Sequence, residues 1–180
     1  MNRENWPIAG AWLLLFLIAG CLQTVGAEQN IFFKATLLDN VCTFEQEDTP
    51  LEVKFPIRAL KYFQNYSRTE TESFVIGLKN CSAITLGKMV NLTFSFPQTQ
   101  VVNGVAMLKP SGETGLVIAL VDNKGKAIVP DHEIEVGPVT TIGTGNVNRF
   151  TLGAYVLAPE SANVKAGQYS ATITFTVSYR

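Results

Sequence analysis

Histidine is nearly absent from this 180-residue sequence, which holds only His132, and cysteine occurs three times. That leaves little material for a metal site and no histidine base with a serine or cysteine partner. Charge is scarce as well. Charged residues make up 16% of the chain, against about 25% in an ordinary soluble domain. A net charge of −1 supplies no basic face to attract nucleic acid. A sustained period-3.6 pattern is also missing; the best stretch, residues 57–66, is short and follows Pro56. Linkers, internal repeats and low-complexity tracts are absent. Apolar residues are abundant, at 47%, too many for a disordered chain, and the length suits one domain.

The leading residues form a unit of their own. Arg3 precedes a run of apolar residues and glycine from Ile8 to Leu22, and the small residues Val25-Gly26-Ala27 follow it. A basic start, an apolar middle and a small-residue cleavage site predict a secretory signal peptide over residues 1–27. The run is shorter than the roughly 18 to 20 residues that span a bilayer. A second reading is a lipoprotein box at Ile18-Ala19-Gly20-Cys21, which would retain an acylated Cys21. Cleavage after Ala27 removes Cys21, Trp6 and Trp12 and leaves two cysteines, Cys42 and Cys81. An even pair in an exported chain predicts a disulfide formed in an oxidising compartment. A bridge closing a loop of about 40 residues contributes roughly 4 kcal/mol on chain-entropy arithmetic. The other reading, two buried free thiols, suits an exported protein poorly.

The remainder alternates with period 2, which predicts half-buried strands over residues 31–38, 51–55, 73–79, 89–96, 116–121, 149–157 and 168–179. Turn signals separate them, such as Asp39-Asn40, Lys109-Pro110-Ser111-Gly112, Asp122-Asn123-Lys124-Gly125 and Lys165-Ala166-Gly167. Short strands, one disulfide and no helical segment of any length predict a single all-β domain, an immunoglobulin-like β-sandwich.

Two segments stand out. At the end of the chain, Tyr169, Ala171, Ile173, Phe175, Val177 and Tyr179 alternate with hydroxyl-bearing residues until Arg180. One face of that strand is therefore wholly apolar. At about 3.3 Å per residue it spans roughly 40 Å, and no strand follows to cover its far edge. Near the start of the mature chain, Ile31, Phe33, Ala35 and Leu37 share one face, opposite Phe32, Lys34, Thr36 and Leu38. A free terminus is usually polar and frayed, so an alternating apolar strand there needs a partner. That partner lies either in its own sheet or on another molecule, and periodicity does not separate the two.

The carrying segments of a resemblance are Leu37-Leu38-Asp39 shortly before Cys42, then Thr71-Glu72-Ser73-Phe74-Val75-Ile76-Gly77-Leu78-Lys79-Asn80-Cys81, Gly87-Lys88-Met89-Val90-Asn91-Leu92-Thr93-Phe94 and Gly153-Ala154-Tyr155-Val156. With a glycine fourteenth from the end, Gly167, and a penultimate tyrosine, Tyr179, the mature chain resembles the pilin subunits of the chaperone–usher pathway of Gram-negative bacteria. Among these it looks most like an adaptor subunit of a pilus tip.

The resemblance implies an incomplete immunoglobulin-like fold that lacks its final strand and leaves a groove beside the last one. It divides the chain into a donor-strand extension over residues 28–38 and a pilin domain over residues 39–180. A periplasmic chaperone lends a strand to the groove, and its basic residues hold the C-terminal carboxylate of Arg180. At the outer-membrane usher, the N-terminal extension of the next subunit takes that place, a case of strand addition. Ile31, Phe33, Ala35 and Leu37 would be the donor residues. Gly167, Tyr169, Ala171, Ile173, Phe175, Val177, Tyr179 and Arg180 would form the strand facing chaperone and acceptor groove. The family commonly has glycine where this chain has Ala35. No enzyme activity, cofactor or nucleic acid is implied, and the route runs through the periplasm to a cell-surface fimbrium. The alternatives are a shaft subunit and a carbohydrate-binding adhesin, although the mature chain lacks tryptophan, a common sugar-stacking platform. The sequons at Asn65, Asn80 and Asn91 read as chance triplets, Gly143-Thr144-Gly145 as too short for a nucleotide loop, the acidic run Glu45-Gln46-Glu47-Asp48 as a loop, and His132 as a surface residue.

Overall fold

The computed structural model describes residues 29–37, 41–46, 50–160 and 162–180. The leader with Cys21, the positions Glu28, Leu38 and Asp39, and the acidic pair Glu47 and Asp48 lie outside the described residues.

Two sheets carry the fold. The first has five strands in the order β3-β1-β11-β5-β9: β1 (Gln29–Leu37), β3 (Leu51–Lys54), β5 (Met89–Ser95), β9 (Glu133–Pro138) and β11 (Tyr169–Tyr179). The second has six in the order β2-β4-β10-β8-β7-β6: β2 (Thr43–Phe44), β4 (Glu72–Lys79), β6 (Thr99–Val102), β7 (Val105–Leu108), β8 (Val117–Val121) and β10 (Val147–Leu157). One short helix, α1 (Leu60–Asn65), lies between β3 and β4.

Alternation fixes which side chains meet between the sheets. Val90, Leu92 and Phe94 of β5 and Ile173, Phe175 and Val177 of β11 are buried, as are Phe74, Ile76 and Leu78 of β4 and Phe150, Leu152, Ala154 and Val156 of β10. Together they form one continuous core. β8 departs from the pattern, because all five of its residues are buried. Ile118 and Leu120 face the main core. Val117 and Ala119 face away and are covered by Val102 and Met107 from the β6–β7 hairpin, with Tyr155 and Leu157 beside them. A strand covered on both sides reads as a continuous apolar run, as 116–121 does.

All the predicted strands are present, with ends shifted by one or two residues. The chain also forms β2, β6, β7 and β9, which the sequence reading did not include. β9 is an edge strand carrying Glu133 and Glu135 and ending in Pro138, features that blunt an edge against stray pairing. Cys42 and Cys81 are disulfide-bonded, 39 residues apart in sequence. The bridge ties the segment before β2 to the end of β4.

Candidate strand-acceptor groove

β11 is flanked by β5 on one side and β1 on the other. Its pairing with β5 is antiparallel, as in an ordinary meander or Greek key. Its pairing with β1 is parallel, in unbroken register from Gln29↔Tyr169 to Leu37↔Val177. Equal parity in a parallel pair puts Ile31 beside Ala171, Phe33 beside Ile173 and Ala35 beside Phe175 on one face. The place a following strand would take is therefore filled by the beginning of the described chain. A groove left open beside the last strand was expected, with its occupant supplied by another molecule. In this structure the chain's own N-terminal strand occupies it, because Ile31 and Phe33 find there the apolar cover their alternation demands.

The seating of β1 is uneven. Asn30 to Phe33 pair with β3 as well as β11, so that half has strands on both sides. Ile31 is fully buried and Phe33 nearly so. The Phe33 ring lies 4.8 Å from the ring of Phe74 and 6.4 Å from those of Phe94 and Phe175, centroid to centroid. The Asn30 Nδ2 donates to Glu52 Oε1 at 2.7 Å, and the Phe55 amide donates to the Gln29 carbonyl at 2.9 Å. Past Phe33 the pairing with β3 stops. Ala35 is exposed and Leu37 half-buried, beside a hollow lined by Phe44, Pro50, Leu51 and Phe175. In this seat Ile31 and Phe33 are buried, whereas Ala35 and Leu37 are not.

The groove's two ends differ. At the start of β1, Gln29 meets a cavity of about 310 Å³ lined by apolar side chains including Ile57, Leu60, Phe63, Leu116 and Tyr169. Gly167 borders it, and a methyl group on Gly167 would come to 3.3 Å from Thr114 Cγ2. Burial pushes the Tyr169 phenol well above the ordinary tyrosine range. At the other end, the amide of Met89 donates to the Arg180 carbonyl at 2.7 Å and the amide of Arg180 to the Met89 carbonyl at 3.0 Å. The Arg180 guanidinium sits 2.6 Å from Glu133 Oε2, and Ser178 Oγ donates to Glu133 Oε1 at 2.9 Å. The last residue is thus fastened to the first sheet.

The remaining singled-out residues lie away from the groove. His132 is exposed, with its Nδ1 3.0 Å from the Pro130 carbonyl. Gly143 and Gly145 both have positive φ in a turn where the Gly145 amide donates to Asn80 Oδ1 at 2.9 Å. Glu45 pairs with Arg149. Asn91 is 1% exposed and closed to any modification. Sequence reasoning missed Asn148, a buried residue whose Oδ1 accepts from the Thr140 and Thr141 amides at 2.8 and 3.0 Å. It pins the turn before β10, and a lone Asn in an alternating strand gave no signal of that.

Comparison with known proteins bears on the family and the fold. The fimbrial protein family model matches residues 31–180. The chain is 34% identical to the fimbrial adapter PapK of Escherichia coli over 174 residues, covering 93% of this chain and 96% of that protein. It is 28% identical to the KS71A fimbrillin of Escherichia coli, over 96% of this chain and 97% of that one. The P pilus rod subunit PapA has the same fold, with a TM-score of 0.62 at 24% identity, over 78% of this chain and 99% of that one. A chain from a chaperone–usher pilus structure superposes with a TM-score of 0.64 over 82% of this chain and 93% of that one, also at 24% identity. A β-sandwich whose last strand is completed by a strand from outside the C-terminal order, matched along nearly its whole length by pilus proteins, places the chain in the fimbrial protein family, a family of structural pilus subunits.

Proposed function

We propose that this chain is an adaptor-type minor pilus subunit, assembled by strand exchange and carried through the periplasm to a cell-surface fimbrium. The observation that supports this reading most is the slot beside β11. It takes a strand with an apolar residue at every second position, and its occupant here, β1, runs parallel to β11 and precedes the disulfide-bonded Cys42 in the chain. In assembly, Ile31, Phe33, Ala35 and Leu37 enter the groove of a neighbouring subunit. The chain's own groove, faced by Tyr169, Ala171, Ile173, Phe175 and Val177, first receives a strand from a periplasmic chaperone and then, at the outer-membrane usher, one from the next subunit. Main-chain hydrogen bonds give such an exchange its affinity and the alternate side-chain positions its selectivity. Each Ile, Phe or Leu buried contributes roughly 1.5 to 3 kcal/mol. Gly167 and Tyr169 face the cavity end of the groove, and Tyr179 and Arg180 the end where basic chaperone residues hold the terminal carboxylate.

The adaptor position, rather than the shaft, is supported by the higher identity to a fimbrial adapter than to a fimbrillin. Deleting residues 28–38 tests the donor assignment. The shortened subunit is expected to co-purify with its chaperone yet to be missing from complexes in which it must donate to a neighbour. Recovery of such complexes at normal yield would refute the assignment.

A further inference from the structure

The groove and the donor strand are two halves of one joint, and in this structure a single molecule holds both. We propose that a subunit free of partners closes on itself, with residues 29–37 seated parallel to β11, so that it neither offers a donor strand nor accepts one. This goes beyond the exchange reading: that reading concerns which strand fills the groove in an assembled pilus, whereas closure concerns the subunit alone.

The geometry argues for closure within one molecule. The nine residues of β1 pair without a register break along β11, and Asn30 to Phe33 also pair with β3. Ile31, Phe33 and the aromatic rings around Phe33 are buried as deeply as the centre of the sandwich. β3 of the same chain pairs antiparallel with the first half of β1, so both neighbours of that half come from one molecule. An unpaired β11 edge with an apolar face would otherwise be a site of aggregation. Closure hides that edge and the donor face together.

The same geometry keeps closure reversible. Past Phe33 the strand is held on one side only, and Ala35, level with Phe175, leaves the hollow beside Phe44 and Leu51 unfilled. A methyl group at this position gives the seated strand little grip, so this half of the strand is the easier to lift.

Lys34 and Thr174 are register partners, and both side chains are exposed. The test uses the full mature chain carrying Lys34→Cys and Thr174→Cys, expressed in an oxidising periplasm without added chaperone. Neighbouring strands lie close enough for a disulfide. The expected product is a monomer with a linked peptide pair from one molecule, identified by mass spectrometry. Cross-links found only between molecules, or none, would overturn the proposal. Hydrogen exchange on the unsubstituted monomer gives a readout free of the new cysteines: amides of 30–33 should exchange at least about 100-fold more slowly than those of 35–37. Uniformly fast exchange across 29–37 would equally overturn closure. With Ala35→Leu, displacement of β1 by a labelled peptide of residues 29–37 should slow by about tenfold. A rate equal to or above the parent's would overturn the claim that the Ala35 half is the weak part of the closed strand. None of these outcomes depends on a chaperone or usher, so failure here leaves the exchange reading to its own deletion test.

Discussion

Phe33 sits where three aromatic rings from both sheets converge, and that position makes it the most consequential side chain of β1. Truncating a buried phenylalanine removes its transfer free energy and leaves a cavity, together about 3 to 5 kcal/mol. Phe33→Ala should lower the unfolding free energy of the isolated monomer by that amount, read from urea midpoints at constant slope. A loss below about 1 kcal/mol would mean that β1 is not seated in solution as described. Tyr169 makes a different prediction. Its phenol is neutral in the fold and its pKa is raised by burial, whereas an unfolded tyrosine ionises near pH 10. Its contribution is therefore complete below about pH 10 and is lost as the pH rises toward the folded value. Tyr169→Phe should flatten the alkaline decline in stability relative to the parent, measured by unfolding between about pH 8 and 11. Identical slopes in the two proteins would show the phenol to be solvated.

Among the elements, those with clean period-2 patterns were legible from sequence, and those shaped by turns or edges were not. β10 and β11 alternate for eleven residues each, so register and inward face follow from the residue order alone. β6 and β7 are four residues long, too short for periodicity to register. Their signal lay in the turn, where Asn103 and Gly104 both take positive φ, as a tight two-residue hairpin requires. β9 alternates Glu-Ile-Glu-Val, but its Gly137-Pro138 ending reads as a loop until the edge position explains it. The groove was half legible. Alternation identifies which residues of β1 face inward, but not whose groove they enter, since the apolar face is satisfied equally by an intramolecular or an intermolecular partner. Nor does it reveal that Ala35 lies exposed, because depth depends on where β3 stops pairing. In this structure β1 pairs within its own sheet, with β11 and β3, an arrangement that periodicity alone does not select.

At the scale of the whole molecule, among the described residues the sandwich draws ten of its strands from after residue 42 and one from before it. The disulfide closes the segment between Cys42 and Cys81 and leaves β1 outside the closed loop. In the exchange proposed above, own strand, chaperone strand and neighbour strand would compete for one slot, and the occupant that best fills the inward positions would hold it. The most direct measurement is calorimetric or denaturant unfolding of the oxidised chain lacking residues 28–38, alone and with a synthetic peptide of residues 29–37 added in excess. Without the peptide there should be no cooperative transition, and with it a transition whose midpoint rises with peptide concentration. A sharp cooperative transition of the shortened chain by itself, unmoved by peptide, would contradict the requirement for a supplied strand beside β11.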